Sequence, residues 1–144
     1  MKLINFIICD DIRLEVGGKH TIVGLYDDAI NFNVPIAEKG KWPKGMKLGI
    51  FVRARFEDDK EKEAIDSFRL DVSFNDKKKT IAGGKLNLQE QKEAKGVNLA
   101  AVFEQFAFEC AGLLKIKIIL LDNKNEEVTA LECPDTIAIS EILV

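Results

Sequence analysis

One histidine in 144 residues, His20, removes most nucleophilic hydrolases from consideration. Ser-His-Asp and Cys-His systems need an imidazole as general base, and His20 stands just past Gly17-Gly18 with no nucleophile motif around it. It reads as a solvated side chain at a strand end. Cysteine is equally scarce: Cys9, Cys110 and Cys133 are an odd set without CxxC spacing. A disulfide framework requires an even count in a smaller chain, and a zinc site requires clustered ligands. The reading is three reduced, mostly buried thiols in a cytoplasmic protein. Long apolar runs are missing too, and nothing approaches the ~18 residues of a membrane helix. Met1 to Cys9 has the outline of a truncated lipoprotein signal, but its apolar stretch is too short and Asp10-Asp11 follow at once. Helical periodicity fails throughout; even Asn87 to Ala94, rich in helix formers, has almost no apolar stripe. Phosphate and dinucleotide fingerprints need a Gly-rich turn between a strand and a helix. Gly83-Gly84 lie instead between strand residues, where they mark a bulge or a close backbone approach. A net charge of −3 and a pI near 5.3 argue against non-specific nucleic-acid binding, which needs clustered positive charge. These absences leave no catalytic residue, metal site or cofactor to assign.

What the chain does have is a core and a two-residue rhythm. Hydrophobic residues make up 47% and charged residues 31%, the composition of a soluble globular protein. A chain of this length buries about 68–70% of its unfolded surface and needs no disulfide or metal to fold. A single domain, 1–144, is expected, without linker, repeat or low-complexity segment. Leu48, Ile50, Val52, Ala54 and Phe56 alternate with Gly49, Phe51, Arg53 and Arg55. Phe68, Leu70, Val72 and Phe74 alternate with Arg69, Asp71 and Ser73, and Leu114, Ile116, Ile118 and Leu120 frame Lys115 and Lys117. Such alternation belongs to strands with one buried face, because successive side chains point to opposite sides. Ile4, Phe6, Ile8, Ile12 and Leu14 share a face, with Asp10 the exception.

Further on, Val97, Leu99, Ala101 and Phe103 are odd while Phe106 and Phe108 are even. This phase change predicts a β-bulge or a strand passing from one sheet to another. Turn chemistry separates the runs. Gly17-Gly18 fits a two-residue hairpin, Asn75 to Lys79 and Asp122 to Asn125 are polar breaks, and Asp58 to Glu63 can hold one helical turn. Strands are expected near 2–16, 19–32, 47–57, 66–75, 80–89, 97–109, 113–121 and 126–133, with a last short one near 136–143. About eight strands with frequent turns predict an all-β, antiparallel two-sheet β-sandwich, immunoglobulin-like or C2-like.

Three features are candidates for function. If Val16 pairs with Lys19, Asp10 lies opposite Leu25 and Asp27 falls on the same face, about 7–8 Å away on the diagonal. Asp11 and Asp28 stand beside that pair. Such acids bind a cation in some sandwiches, while the structural alternative has Asp10 paired or hydrogen-bonded at a strand end. The long connection Val34 to Lys47 holds the only tryptophan. There Lys41, Trp42 and Lys44 can present an aromatic anchor with cationic neighbours, or Trp42 can fold back to plug one end of the sandwich. The third feature is the apolar segment Ile137 to Val144, which either closes its own sheet or adds to a neighbour's edge.

The string Asn5-Phe6-Ile7-Ile8-Cys9-Asp10-Asp11-Ile12-Arg13, followed by Gly18-Lys19 and Ile22-Val23-Gly24-Leu25-Tyr26, resembles an uncharacterised family of bacterial and phage proteins. The resemblance covers residues 3–32. It implies a compact β-sandwich of bacterial or phage origin with no established activity. The hairpin Phe108 to Leu131 has the general form of the closing hairpin in such families, but Ala111-Gly112 stands where they often have Pro-Gly. The expectation is a non-enzymatic cytoplasmic module that engages a protein partner or itself, through a sheet edge or the 34–47 loop, with no nucleic-acid or membrane partner. The alternative is an accessory protein binding a nucleotide-like small ligand or a divalent metal.

Overall fold

Alternation becomes two pleated layers in the computed structural model, which describes all residues from Met1 to Val144. The strands are β1 (Lys2–Leu14), β2 (His20–Tyr26), β3 (Ala29–Val34), β4 (Lys44–Arg55), β5 (Ser67–Phe74), β6 (Lys77–Lys85), β7 (Gly96–Phe108), β8 (Gly112–Leu121), β9 (Glu127–Glu132) and β10 (Ile137–Leu143). A single helical turn and a half, α1 (Asp59–Ala64), links β4 to β5. It starts where expected because the Asp58 carboxylate accepts a hydrogen bond from Glu61 N at 2.9 Å, satisfying one of the unpaired amides of a helix start. One sheet runs β2-β1-β4-β7. The other runs β3-β10-β8-β5-β6, with β9 beside β8. The inward rows of β4, β5 and β8 (Leu48, Ile50, Val52; Leu70, Val72, Phe74; Leu114, Ile116, Ile118, Leu120) form the heart of the core. An all-β sandwich is therefore what the chain builds.

Ten strands replace the expected eight or nine, and each difference has a local cause. The predicted 19–32 strand breaks at Asp27-Asp28 and passes from the first sheet, as β2, to the second, as β3. Lys77–Lys79, expected in a polar break, belong to β6, because Asn75 and Asp76 take positive φ (48° and 71°) and complete the turn alone. β6 also ends at Lys85 rather than 89, and Leu88–Glu90 form a 3₁₀ turn. The sandwich is not wholly antiparallel. β10 closes its own sheet between β8 and β3, and its partnership with β3 is parallel.

The phase change in β7 is a bulge. Met46 faces Phe106 and Leu48 faces Phe103, so Glu104 and Gln105 together oppose Lys47. Beyond the bulge Phe106 and Phe108 turn inward and meet Phe74, with Phe106 and Phe108 centroids 4.8 Å apart. Phe32 of β3 packs edge-on against Phe108 at 5.3 Å and against Trp42 at 5.8 Å. One end of the sandwich is thus closed by a chain of aromatics drawn from both sheets.

The β1–β2 hairpin departs most from expectation. Observed partners sum to 34 (Cys9 with Leu25, Asp11 with Val23, Leu14 with His20) rather than 35. Val16, Gly17 and Gly18 form a three-residue loop closed by Glu15 N to Lys19 O at 2.7 Å, with both glycines at positive φ. The ribbon then curls over the outer side of the first sheet, and His20 rests against Phe51 at 5.3 Å between centroids. Ile12 closes over Gly49, where an added Cβ would stand 3.1 Å from Ile12 Cγ1 and 2.8 Å from Cys9 Sγ. For this reason Ile12 and Leu14 do not share the core face with Phe6 and Ile8. Cys9, on the side away from the core, is still fully buried.

Candidate protein-binding edge

The register decides the fate of the acids. Asp10 stands across from Gly24, whose positive φ of 68° and missing side chain make room for the carboxylate. The diagonal place expected for Asp27 belongs to Tyr26, whose hydroxyl donates to Asp10 Oδ1. Burial, then the Asp10 hydrogen bond, push the Tyr26 hydroxyl well above the ordinary phenol range. Asp11 turns to Lys47 at 3.2 Å and Arg13 at 3.6 Å, and the Lys47 contact leads in holding its carboxyl below the usual value. Asp27 and Asp28 occupy the bend between sheets, where Asp28 O accepts Ala138 N at 2.8 Å. The expected Asp10/Asp27 pair does not form, and no three His, Cys, Asp or Glu side chains gather where they would hold a metal ion.

The 34–47 loop is wired inward. Trp42 is half-buried against Phe32, and Lys44 Nζ lies 5.0 Å from the Trp42 ring centroid. The same ammonium donates to Lys41 O at 2.8 Å and Glu38 O at 3.1 Å, while Lys41 reaches Glu38 at 3.5 Å. Glu141 of β10 accepts Gly40 N with both oxygens at 3.0 Å. The aromatic closes the end of the sandwich and the two lysines stabilise the loop that carries it.

All three cysteines are free. Burial pushes the Cys9 thiol up to about 11, with smaller repulsion from Asp10 and Asp11. Because the folded value exceeds the ordinary one, the unfolded chain ionises first. Between pH 9 and 11 the native state holds the extra proton, and stability falls as pH rises. The urea midpoint of the native chain is expected to fall more between pH 8 and 10 than that of Cys9→Ala. Parallel losses in the two proteins would show that Cys9 does not titrate this way.

Sheet order exposes what the sequence pattern could not. β7 pairs only with β4, so its far side is an edge thirteen residues long. No backbone hydrogen bond outside the ladders involves residues 97–108. The stretch Val97-Asn98-Leu99-Ala100-Ala101-Val102-Phe103 has no charge, proline or glycine. Edge strands are normally protected by charges, bulges or brevity. β6 follows that rule with exposed Lys77, Lys78, Lys79 and Lys85, and β3 and β9 have only six residues each. β7 lacks such protection until Glu104 and Gln105. The available signal was this uncharged run, set against the lysines of β6.

Two packed layers of strands, with no helix long and apolar enough to cross a membrane, place the chain among the β-sandwich proteins. Its family can be stated as well. Residues 4–132 match the family of unknown function DUF6941, and the chain belongs to that family. The match extends far past the amino-terminal string at 3–32 that carries the resemblance. A comparison with curated proteins gives no match.

Proposed function

We propose that the protein is a non-enzymatic binding module, cytoplasmic and of bacterial or phage origin, that pairs with a second copy of itself along the β7 edge. The unprotected, uncharged run Val97–Phe103 on an open edge carries this reading. An added strand satisfies the outward amides and carbonyls of β7 and extends the sheet. Charge supports an antiparallel twofold arrangement: Lys95 precedes β7, whereas Glu104 and Glu109 stand at its other end. Centred on Ala100, such pairing brings the basic end of one copy to the acidic end of the other. Reduced thiols and the amino-terminal string support the assigned setting.

Ala100 is exposed, so Ala100→Lys leaves the monomer intact while placing two like charges opposite each other across the proposed seam. Light scattering coupled to size exclusion is expected to give twice the chain mass for the native protein and the single mass for Ala100→Lys. A native protein that remains monomeric at about 200 µM, near the weak end of useful association, overturns the proposal. A dimer untouched by the substitution does so too. β10 is internal to its sheet, so removing it would test folding rather than assembly.

A further inference from the structure

The outer face of the first sheet carries a second feature, at the end of β4 opposite the Trp42 loop. Arg53 and Arg55 project there from alternate positions, about 7 Å apart along the strand. Lys95 enters from the turn before β7, and the ladder sets Lys2 beside Arg55. Asn98 lies across from Arg53. Together with Gln91, the two arginines, Lys95 and Asn98 border a groove of about 360 Å³, none of whose lining residues is acidic, and Lys2 stands next to Arg55 outside that lining. No carboxylate lies within 4.0 Å of any of the four cations. None of the side chains of Arg53, Arg55, Lys95 and Asn98 donates a hydrogen bond within the protein, whereas Gln91 is held by Leu86 O at 3.0 Å. Opposite Arg55 the β7 residue is Gly96, which also borders the groove.

Four unpaired cations close together are an anomaly in a chain of net charge −3. The groove on the second sheet shows the ordinary case, where Lys78, Lys115 and Lys117 are balanced by Asp71, Asp76 and Glu132. We propose that the Arg53–Arg55 groove binds the oligophosphate group of a small molecule. Two guanidinium forks match phosphate oxygens bidentately, and the lysines and the Asn98 amide supply further donors. The volume suits two or three linked phosphates. A nucleic-acid strand needs a longer basic track, and an extended acidic peptide also needs more length. The site is built from β4, the turn before β7 and the first residues of β7, Gly96 and Asn98, while its two arginines lie on β4 and not on the β7 edge.

Calorimetry with inorganic triphosphate at low salt tests the proposal. Binding is expected, with at least a tenfold weakening as added salt screens the charges. Arg53→Gln/Arg55→Gln, both exposed positions, should lose about tenfold or more per arginine. Lys115→Gln/Lys117→Gln should bind as the native chain does. ATP is expected to match triphosphate within about threefold, and adenosine to be silent, because the phosphates carry the affinity. The proposal is overturned if triphosphate gives no signal at about 5 mM, or if the two double variants lose affinity equally. Tighter binding of a short single-stranded DNA or an oligoglutamate peptide overturns it as well.

Discussion

Phe108→Ala is expected to remove about 3–5 kcal/mol of folding stability, the range for deleting a fully buried aromatic ring. Phe108 is completely buried and bridges the layers at the closed end of the sandwich. It extends from β7 in the first sheet to Phe32 at 5.3 Å and Phe74 at 6.4 Å in the second, with Phe106 beside it at 4.8 Å. Its neighbours are poorly placed to fill the space. Phe32 is held against Trp42, while Phe74 and Phe106 have their own ladder partners. The cost therefore includes a residual cavity as well as the lost transfer energy. Trp42 is the sole tryptophan and reads out the same cluster through Phe32, so its fluorescence follows urea unfolding directly. A loss below about 1 kcal/mol, typical of a surface or well-relaxed substitution, would show that the aromatic chain does not join the sheets.

The inward rows of β4, β5 and β8 could be read from the sequence because a half-buried strand writes its burial in a period of two. The bulge in β7 was legible for the same reason, since an extra residue shifts that period between Phe103 and Phe106. Sheet membership was not. The segment 19–32 reads as a single strand, yet the bend at Asp27-Asp28 sends its halves to different sheets. The hairpin register was lost on one residue. Two glycines in succession suggest a two-residue turn, and only the match of Asp10 to Gly24 and Tyr26 shows why a three-residue loop is preferred. That single step replaces the expected Asp10/Asp27 diagonal with the Tyr26–Asp10 hydrogen bond, the structural alternative for that carboxylate. Both proposed surfaces have the same origin. The open β7 edge and the Arg53–Arg55 groove depend on which strand lies beside which, and non-local pairing leaves no mark in a local pattern.

Gly96→Ala is the second large effect, expected to cost about 2–3 kcal/mol, the upper part of the range for overpacking a fixed site. At Gly96 a Cβ would fall inside contact distance of the Ala54 carbonyl oxygen and within 2.9 Å of both Ala54 C and Arg55 Cα. These are backbone atoms of β4, fixed by the ladder from Arg55–Gly96 onward and by the Phe56 N to Lys95 O bond at 3.0 Å. Relief requires separating the strands, which weakens the bonds that hold the start of β7. Gly45→Ala is the informative control, because there the added Cβ meets the end of the exposed Gln105 side chain, which can swing aside. It should cost less than about 1 kcal/mol. Denaturant midpoints for the two variants separate backbone contact from mere loss of glycine. If they shift equally, the close approach of β4 and β7 at Gly96 is not what makes glycine necessary there.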